Sequence, residues 1–190
     1  SFSREENDVA DLLMEYIKQK GYKAMRIENN VWVSGYYDPK RPTLLLNSHI
    51  DTVKPAAAWN NEAFNPTLKA GKLYGLGSND AGASVVTLLQ LFFILIEREQ
   101  PYNLIFLASA EEEISGKQGV ELALQSLPQI DFAIVGEPTG MNLAVAEKGL
   151  MVLDCTVKGV AGHAARDEGV NAIYKALEAI TWFREYGFPK

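Results

Sequence analysis

Thr43-Leu-Leu-Leu-Asn-Ser-His-Ile-Asp51 runs from an apolar stretch into a histidine and an aspartate two residues apart. Alternate side chains of a β-strand share a face, so His49 can reach a metal while the Asp51 carboxylate orients its ring. The turn-like Tyr37-Asp-Pro-Lys-Arg-Pro42 precedes the run and marks its start. Two similar runs follow, Asn103-Leu-Ile-Phe-Leu-Ala-Ser109 and Asp131-Phe-Ala-Ile-Val135. Both predict buried strands, and helical patterns over 83–98 and 119–126 separate them. Continuous apolar strands alternating with helices imply an α/β fold in three layers, a mostly parallel sheet covered by helices on both faces.

Upstream, Val9, Leu12, Leu13, Tyr16 and Ile17 recur at helical spacing between an acidic first turn and Gly21, which predicts an amphipathic helix over 3–20. Lys23-Ala-Met-Arg-Ile27 and Asn30-Val-Trp-Val-Ser34 read as strands. Trp59, Phe64, Pro66 and Gly71 mark a structured surface excursion that leads to Asp80. The pattern changes after Gly140. Leu150-Met-Val-Leu-Asp-Cys-Thr-Val157 alternates like a long strand, and a helix is expected from about 170 to 186. The expected division is therefore 1–143 for one domain and 144–190 for the beginning of a second, too small to bury a core alone.

Twenty-four acidic against 18 basic residues leave a net charge of −6, without a basic stripe of the kind that follows a phosphate backbone, so nucleic acid is not an expected partner. The apolar run over 85–96 is too short to span a bilayer, is broken by Thr87 and Gln90, and is expected to be a buried helix. No membrane partner is expected. The chain shows no cationic leader with a cleavage site, and its single cysteine, Cys155, is expected to be a buried structural thiol. A cytoplasmic location follows as the expectation.

In parallel sheets the ligand crevice lies beyond the carboxyl ends of the strands. His49, Glu112, Glu113 and Glu137 all fall just past such an end, and Asp80 precedes the long helix on a turn of small residues. A two-metal hydrolytic site needs those parts: a bridging carboxylate, ligands for each ion and a base for water. Each residue has an ordinary alternative. A lone histidine is more often a hydrogen-bonded core residue, Asp80 could cap a helix, and Glu137 could serve a turn. Three glutamates in a row, 111 to 113, would be unfavourable at a buried strand end without a cation to offset them.

Taken in order, the segments His49-Ile-Asp51, Asp80, Glu111-Glu-Glu113 and Gly136-Glu-Pro-Thr139 resemble the M20 metallopeptidase and deacylase family, which includes acetylornithine deacetylases, succinyl-diaminopimelate desuccinylases, aminoacylases and carboxypeptidases. Gly159-Val-Ala-Gly-His-Ala164 is similar to a motif of that family's lid domain. The resemblance implies two Zn2+ ions, with Co2+ or Mn2+ as substitutes. One ion would be held by His49, Asp80 and Glu137, and the other by Asp80 and Glu113. It further implies Glu112 as general base, Asp51 as the partner of His49, and His163 as the lid histidine that hydrogen-bonds the oxyanion in a homodimer. The implied substrate is a small N-acyl amino acid, first of all N-acetylornithine in arginine biosynthesis. Alternatives are N-acetylcitrulline, N-succinylornithine, succinyl-diaminopimelate or a peptide.

Glu111 stands where the family usually has aspartate, and Ala81-Gly-Ala83 replaces Met-Lys-Gly, as in an acetylornithine-deacetylase type. The family's second zinc also takes a histidine from a C-terminal part, which neither His49 nor His163 supplies. The expectation is an N-terminal portion that is inactive by itself. Two other functions compete: a nucleotide-binding domain using Gly75-Leu-Gly77, which lacks the Gly-x-Gly-x-x-Gly run after the first strand, and a non-catalytic module, against which the presence of Glu112 argues.

Overall fold

A computed structural model describes residues 1–59, 62–146, 149, 151–163, 165–166 and 168–187. Helix α1 (Asn7–Gln19) buries Ala10 and Ile17 and leads into the hairpin of β1 (Ala24–Ile27) and β2 (Asn30–Ser34). Strand β3 (Thr43–His49) ends on the histidine. The polar excursion contains a small hairpin, β4 (Thr67–Lys69) and β5 (Lys72–Tyr74), ahead of α2 (Ala83–Ile96). Then come β6 (Asn103–Ser109), the short α3 (Val120–Leu124), β7 (Phe132–Val135) and, much later, α4 (Ala172–Glu185).

The sheet has the order β1-β2-β6-β3-β7. β3 is parallel to β6 and β7, β2 is antiparallel to β6, and β1 is antiparallel to β2, so every strand except β2 points the same way. Register decides where the site forms. His49 pairs with Ser109 and Asn47 with Val135, so the carboxyl ends of β3, β6 and β7 finish at one level. The residues that follow each strand therefore share one rim.

Leu46, Leu104 and Phe106 face α1 and α2, whose Ala10, Ile17, Leu88, Leu89, Phe92 and Phe93 are buried with them. Trp32, Leu45, Ile105 and Leu107 face the other way, onto Ala123 of α3 and onto Leu127 and Ile130. This makes the expected helix, sheet and helix layers. Phe92 and Phe106 are wholly buried, and each such side chain contributes about 1.5–3 kcal/mol. Ser78–Ile96 is long and apolar enough to cross a membrane by length and composition, but the inward face of α2 packs on the sheet.

Contacts divide the chain into two units, Ser1–Leu143 and Ala144–Lys190. Two expectations require correction. β7 is not buried: Phe132, Ile134 and Val135 are exposed because β7 is the edge strand and joins neither core cluster among the described residues. No strand forms over 151–159, Leu150 lies outside the described residues, and Cys155 is exposed. A strand needs a partner for its backbone groups, and among the described residues of the second unit the pairing is limited to the bridge Val160–Val170. Helix α4 itself begins at an Asn171 cap that accepts from the Ile173 amide at 2.9 Å.

Candidate metal and hydrolytic site

The last residue of β3, His49, is 1% exposed, yet its ring reaches the rim. Its Nδ1 donates to the backbone carbonyl of Asp51 at 3.0 Å, which fixes the ring and leaves Nε2 facing the acids. Nε2 lies 3.0 Å from Asp80 Oδ1 and 3.8 Å from both Glu112 Oε2 and Glu137 Oε2. A buried ring thus meets three partly exposed carboxylates.

Local backbone explains how each arrives. Asp80 sits on the distorted turn Ser78–Gly82, and the Asp80–Ala81 peptide is cis. Gly77 takes a φ of +73°, and a Cβ on Gly82 would lie 2.7 Å from the Gly77 carbonyl oxygen, so the turn requires glycine at both positions. Glu137 follows β7, where the Gly136 amide donates to Asn47 O at 2.8 Å and the Gly136 carbonyl accepts from Ser48 Oγ at 2.8 Å. Strand β3 therefore holds the Glu137 loop as well as carrying His49.

Asp51 is buried and touches both ring and loop. Its Oδ1 is 3.4 Å from His49 Nδ1 and accepts the Glu112 amide at 3.0 Å. Its Oδ2 accepts the Glu113 amide at 3.1 Å and the Ser3 hydroxyl at 2.6 Å. Burial alone would raise its pKa, but His49, Ser3 and the two amides hold it down to about 2. Burial likewise opposes charge on His49. The Asp51 and Asp80 carboxylates, with Glu137 and Glu112 behind them, outweigh that and push its pKa up to about 9.

Glu113 and Glu137 are both pushed above the usual carboxylate range. Burial is the first cause for both; on Glu113 the next is the Asp80 carboxylate, with His49 offsetting part, and on Glu137 His49 offsets part before Glu112, Asp80 and Glu113 add to the rise. Such mutual repulsion is what a bound cation relieves. The ligand atoms of His49, Asp80 and Glu137 all lie within 4.8 Å of one another. Zinc bonds of about 2.0–2.2 Å place the ligands of one ion about 3–4 Å apart, so this nitrogen and oxygen set fits a divalent metal.

The structure thus brings together His49, Asp51, Asp80, Glu112 and Glu137, with Glu113 close enough to feel their charge. His163 belongs to the second unit, where it is exposed and its Nδ1 accepts from the Ala165 amide at 3.2 Å; Ala164 of its motif lies outside the described residues. Sequence reasoning missed Ser3, which hydrogen-bonds Asp51, and Glu6, which accepts the Glu111 amide. Both sit in a polar stretch that resembles an ordinary helix start, and no spacing signal connects them to residue 112.

Residues 45–184, which include every acid of the cluster, match Peptidase family M20/M25/M40. The acetylornithine deacetylase of Proteus mirabilis is 36% identical over 140 residues, covering 73% of this chain and 36% of that one. The succinyl-diaminopimelate desuccinylase of Delftia acidovorans is 29% identical over 204 residues, covering 95% and 53%. A tripeptidase from Staphylococcus aureus shares the fold with a TM-score of 0.64, at 23% identity over 95% of this chain and 52% of that one. The chain spans about half the length of these relatives, or less. With every acid of the rim and most of its length inside that match, the chain belongs to peptidase family M20/M25/M40.

Proposed function

We propose that this chain carries the metal-binding and proton-transferring part of a hydrolase that cleaves the amide of an N-acyl amino acid, with N-acetylornithine as the first candidate. The observation that carries the proposal is the cluster at His49 Nε2, where three carboxylates converge within 3.8 Å. His49, Asp80 and Glu137 would hold one zinc ion, and Asp80 and Glu113 would contribute to a second. Bound there, zinc supplies a water of lowered pKa and a Lewis acid for the amide carbonyl, and cobalt or manganese suits the same ligands.

Glu112, half exposed beside the cluster, takes the proton of the attacking water and delivers it to the leaving amine. Asp51 holds the Glu112 and Glu113 amides, so the base stands on a fixed backbone. His163 would hydrogen-bond the carbonyl oxygen as it gains charge, in a homodimer formed through the second unit. Succinyl-diaminopimelate is the second candidate, favoured by the longer match to the Delftia acidovorans desuccinylase.

The test is an assay of this chain continued to the length of its relatives. N-Acetylornithine and N-succinyl-diaminopimelate are compared with and without chelator. Turnover of either that chelation abolishes and zinc restores is expected, and turnover indifferent to metal would sink the proposal. Glu112→Gln should keep zinc and lower kcat by about 100-fold or more. Wild-type rates in that variant would remove Glu112 from its role.

A further inference from the structure

We propose that Glu6 and Ser3, in the segment before α1, are positioning residues for Glu112, a role that rests on the base assignment above. Glu6 occupies the N-cap position of α1, where a short side chain such as Asp or Ser ordinarily accepts amides of the helix. Its carboxylate accepts none of them. The side chain is wholly buried and turns to three donors elsewhere. Oε1 accepts the Arg4 amide at 2.9 Å and the Glu111 amide at 3.2 Å, and Oε2 accepts Asn29 Nδ2 at 2.8 Å.

The Glu111 bond completes a series. The amides of 111, 112 and 113 each end on an oxygen of a buried carboxylate: Glu6 for the first, Asp51 Oδ1 and Oδ2 for the others. Bonds to ionised acceptors are the stronger kind. Ser3 joins the same network by donating to Asp51 Oδ2 at 2.6 Å. The backbone needs this hold, because Glu111 has a φ of +54°, a left-handed conformation that a residue with a side chain keeps only when its surroundings impose it. The Glu111 side chain is fixed too, its Oε2 accepting the Gln118 amide at 3.2 Å and its Oε1 lying 3.6 Å from Arg4 Nε.

Consequently the N-terminal segment sets where the Glu112 carboxylate stands relative to His49. A displacement of about 1 Å in a reacting group can cost about 100-fold in rate. A purely structural role predicts something different: loss of stability throughout the sheet, with normal turnover in whatever remains folded.

Glu6→Gln and Ser3→Ala separate the two. Amide hydrogen exchange on this chain reads the loop without turnover. Zinc titration reads the metal site, and kcat and KM are read in the chain continued to its relatives' length. For Glu6→Gln, protection of the Glu111 amide should fall about tenfold or more while the β6 amides are unchanged. Zinc affinity and KM should stay within about twofold while kcat falls about tenfold or more.

Ser3→Ala should act in the same direction at the Glu113 amide, and it carries the test if Glu6→Gln does not fold. Unchanged kcat in these variants would overturn the proposal. So would a loss of zinc affinity or a rise in KM that parallels the loss of kcat, or loss of protection in β6 equal to that at Glu111. A wild-type protein that hydrolyses neither acyl amino acid would instead overturn the proposed function. Exchange then decides alone: selective loss at Glu111 supports the hold of Glu6 on the loop, and unchanged protection refutes it.

Discussion

His49 collects the charge of the whole rim, and its proton therefore has measurable consequences. Its pKa is about 9 in the fold against an ordinary 6.5, so in the metal-free chain its contribution to stability is fully present below about 6.5 and is lost as pH rises through about 9. Asp51 has the opposite sign. Held at about 2 against 3.8, it contributes above 3.8 and ceases to do so as pH falls through about 2. Thermal melts of the metal-free chain should show Tm declining between about pH 6.5 and 9. The same proton competes with metal, because Nε2 must release it to become a ligand. Zinc affinity should rise with pH, by up to about tenfold per unit below about pH 9 for one displaced proton. Competition titrations at several pH values check this, and an affinity independent of pH would remove His49 from the ligand set.

The turn over Ser78–Gly82 sets Asp80 as the strand ends set the other acids. A Cβ on Gly82 would meet a backbone oxygen at 2.7 Å, and backbone yields less readily than a side chain. Gly82→Ala should lower stability by about 1–3 kcal/mol and weaken zinc binding together, because the turn opens at the residue next but one to Asp80. Denaturant melts and zinc titration report the two effects, and an unchanged affinity would disconnect the turn from Asp80. Elements of this kind were legible in the sequence to differing degrees. β3 and β6 announce themselves as apolar runs because both of their faces are covered, so His49 and the acids after β6 could be placed at strand ends. The β4–β5 hairpin is exposed at every position, its three-residue strands are too short for their alternation to stand out, and it reads only as an ordered excursion. Glu6 was hidden for a different reason: its partner is 105 residues away, and its local context is that of a helix cap.

At the scale of the molecule, strand direction followed from the alternation of strands and helices, but strand order did not. β2 lies beside β6, with Val33 opposite Phe106, and such non-local pairing leaves no local signature. Edge position was equally invisible, since Phe132-Ala-Ile-Val135 has the composition of a covered strand and yet lies open on the outer side of β3. An apolar edge strand with free backbone groups is a template for pairing with another chain. The chain as it stands should therefore associate through β7, where Phe132 is 65% and Val135 57% exposed. Sedimentation velocity at rising concentration should give an increasing sedimentation coefficient. Ile134→Lys, which places a charge on the edge, should reduce that increase to what a homodimer through the second unit contributes, while leaving zinc binding intact, since Ile134 is not among the cluster residues. An interface located elsewhere would leave the two concentration curves superimposed, and that result would exonerate β7.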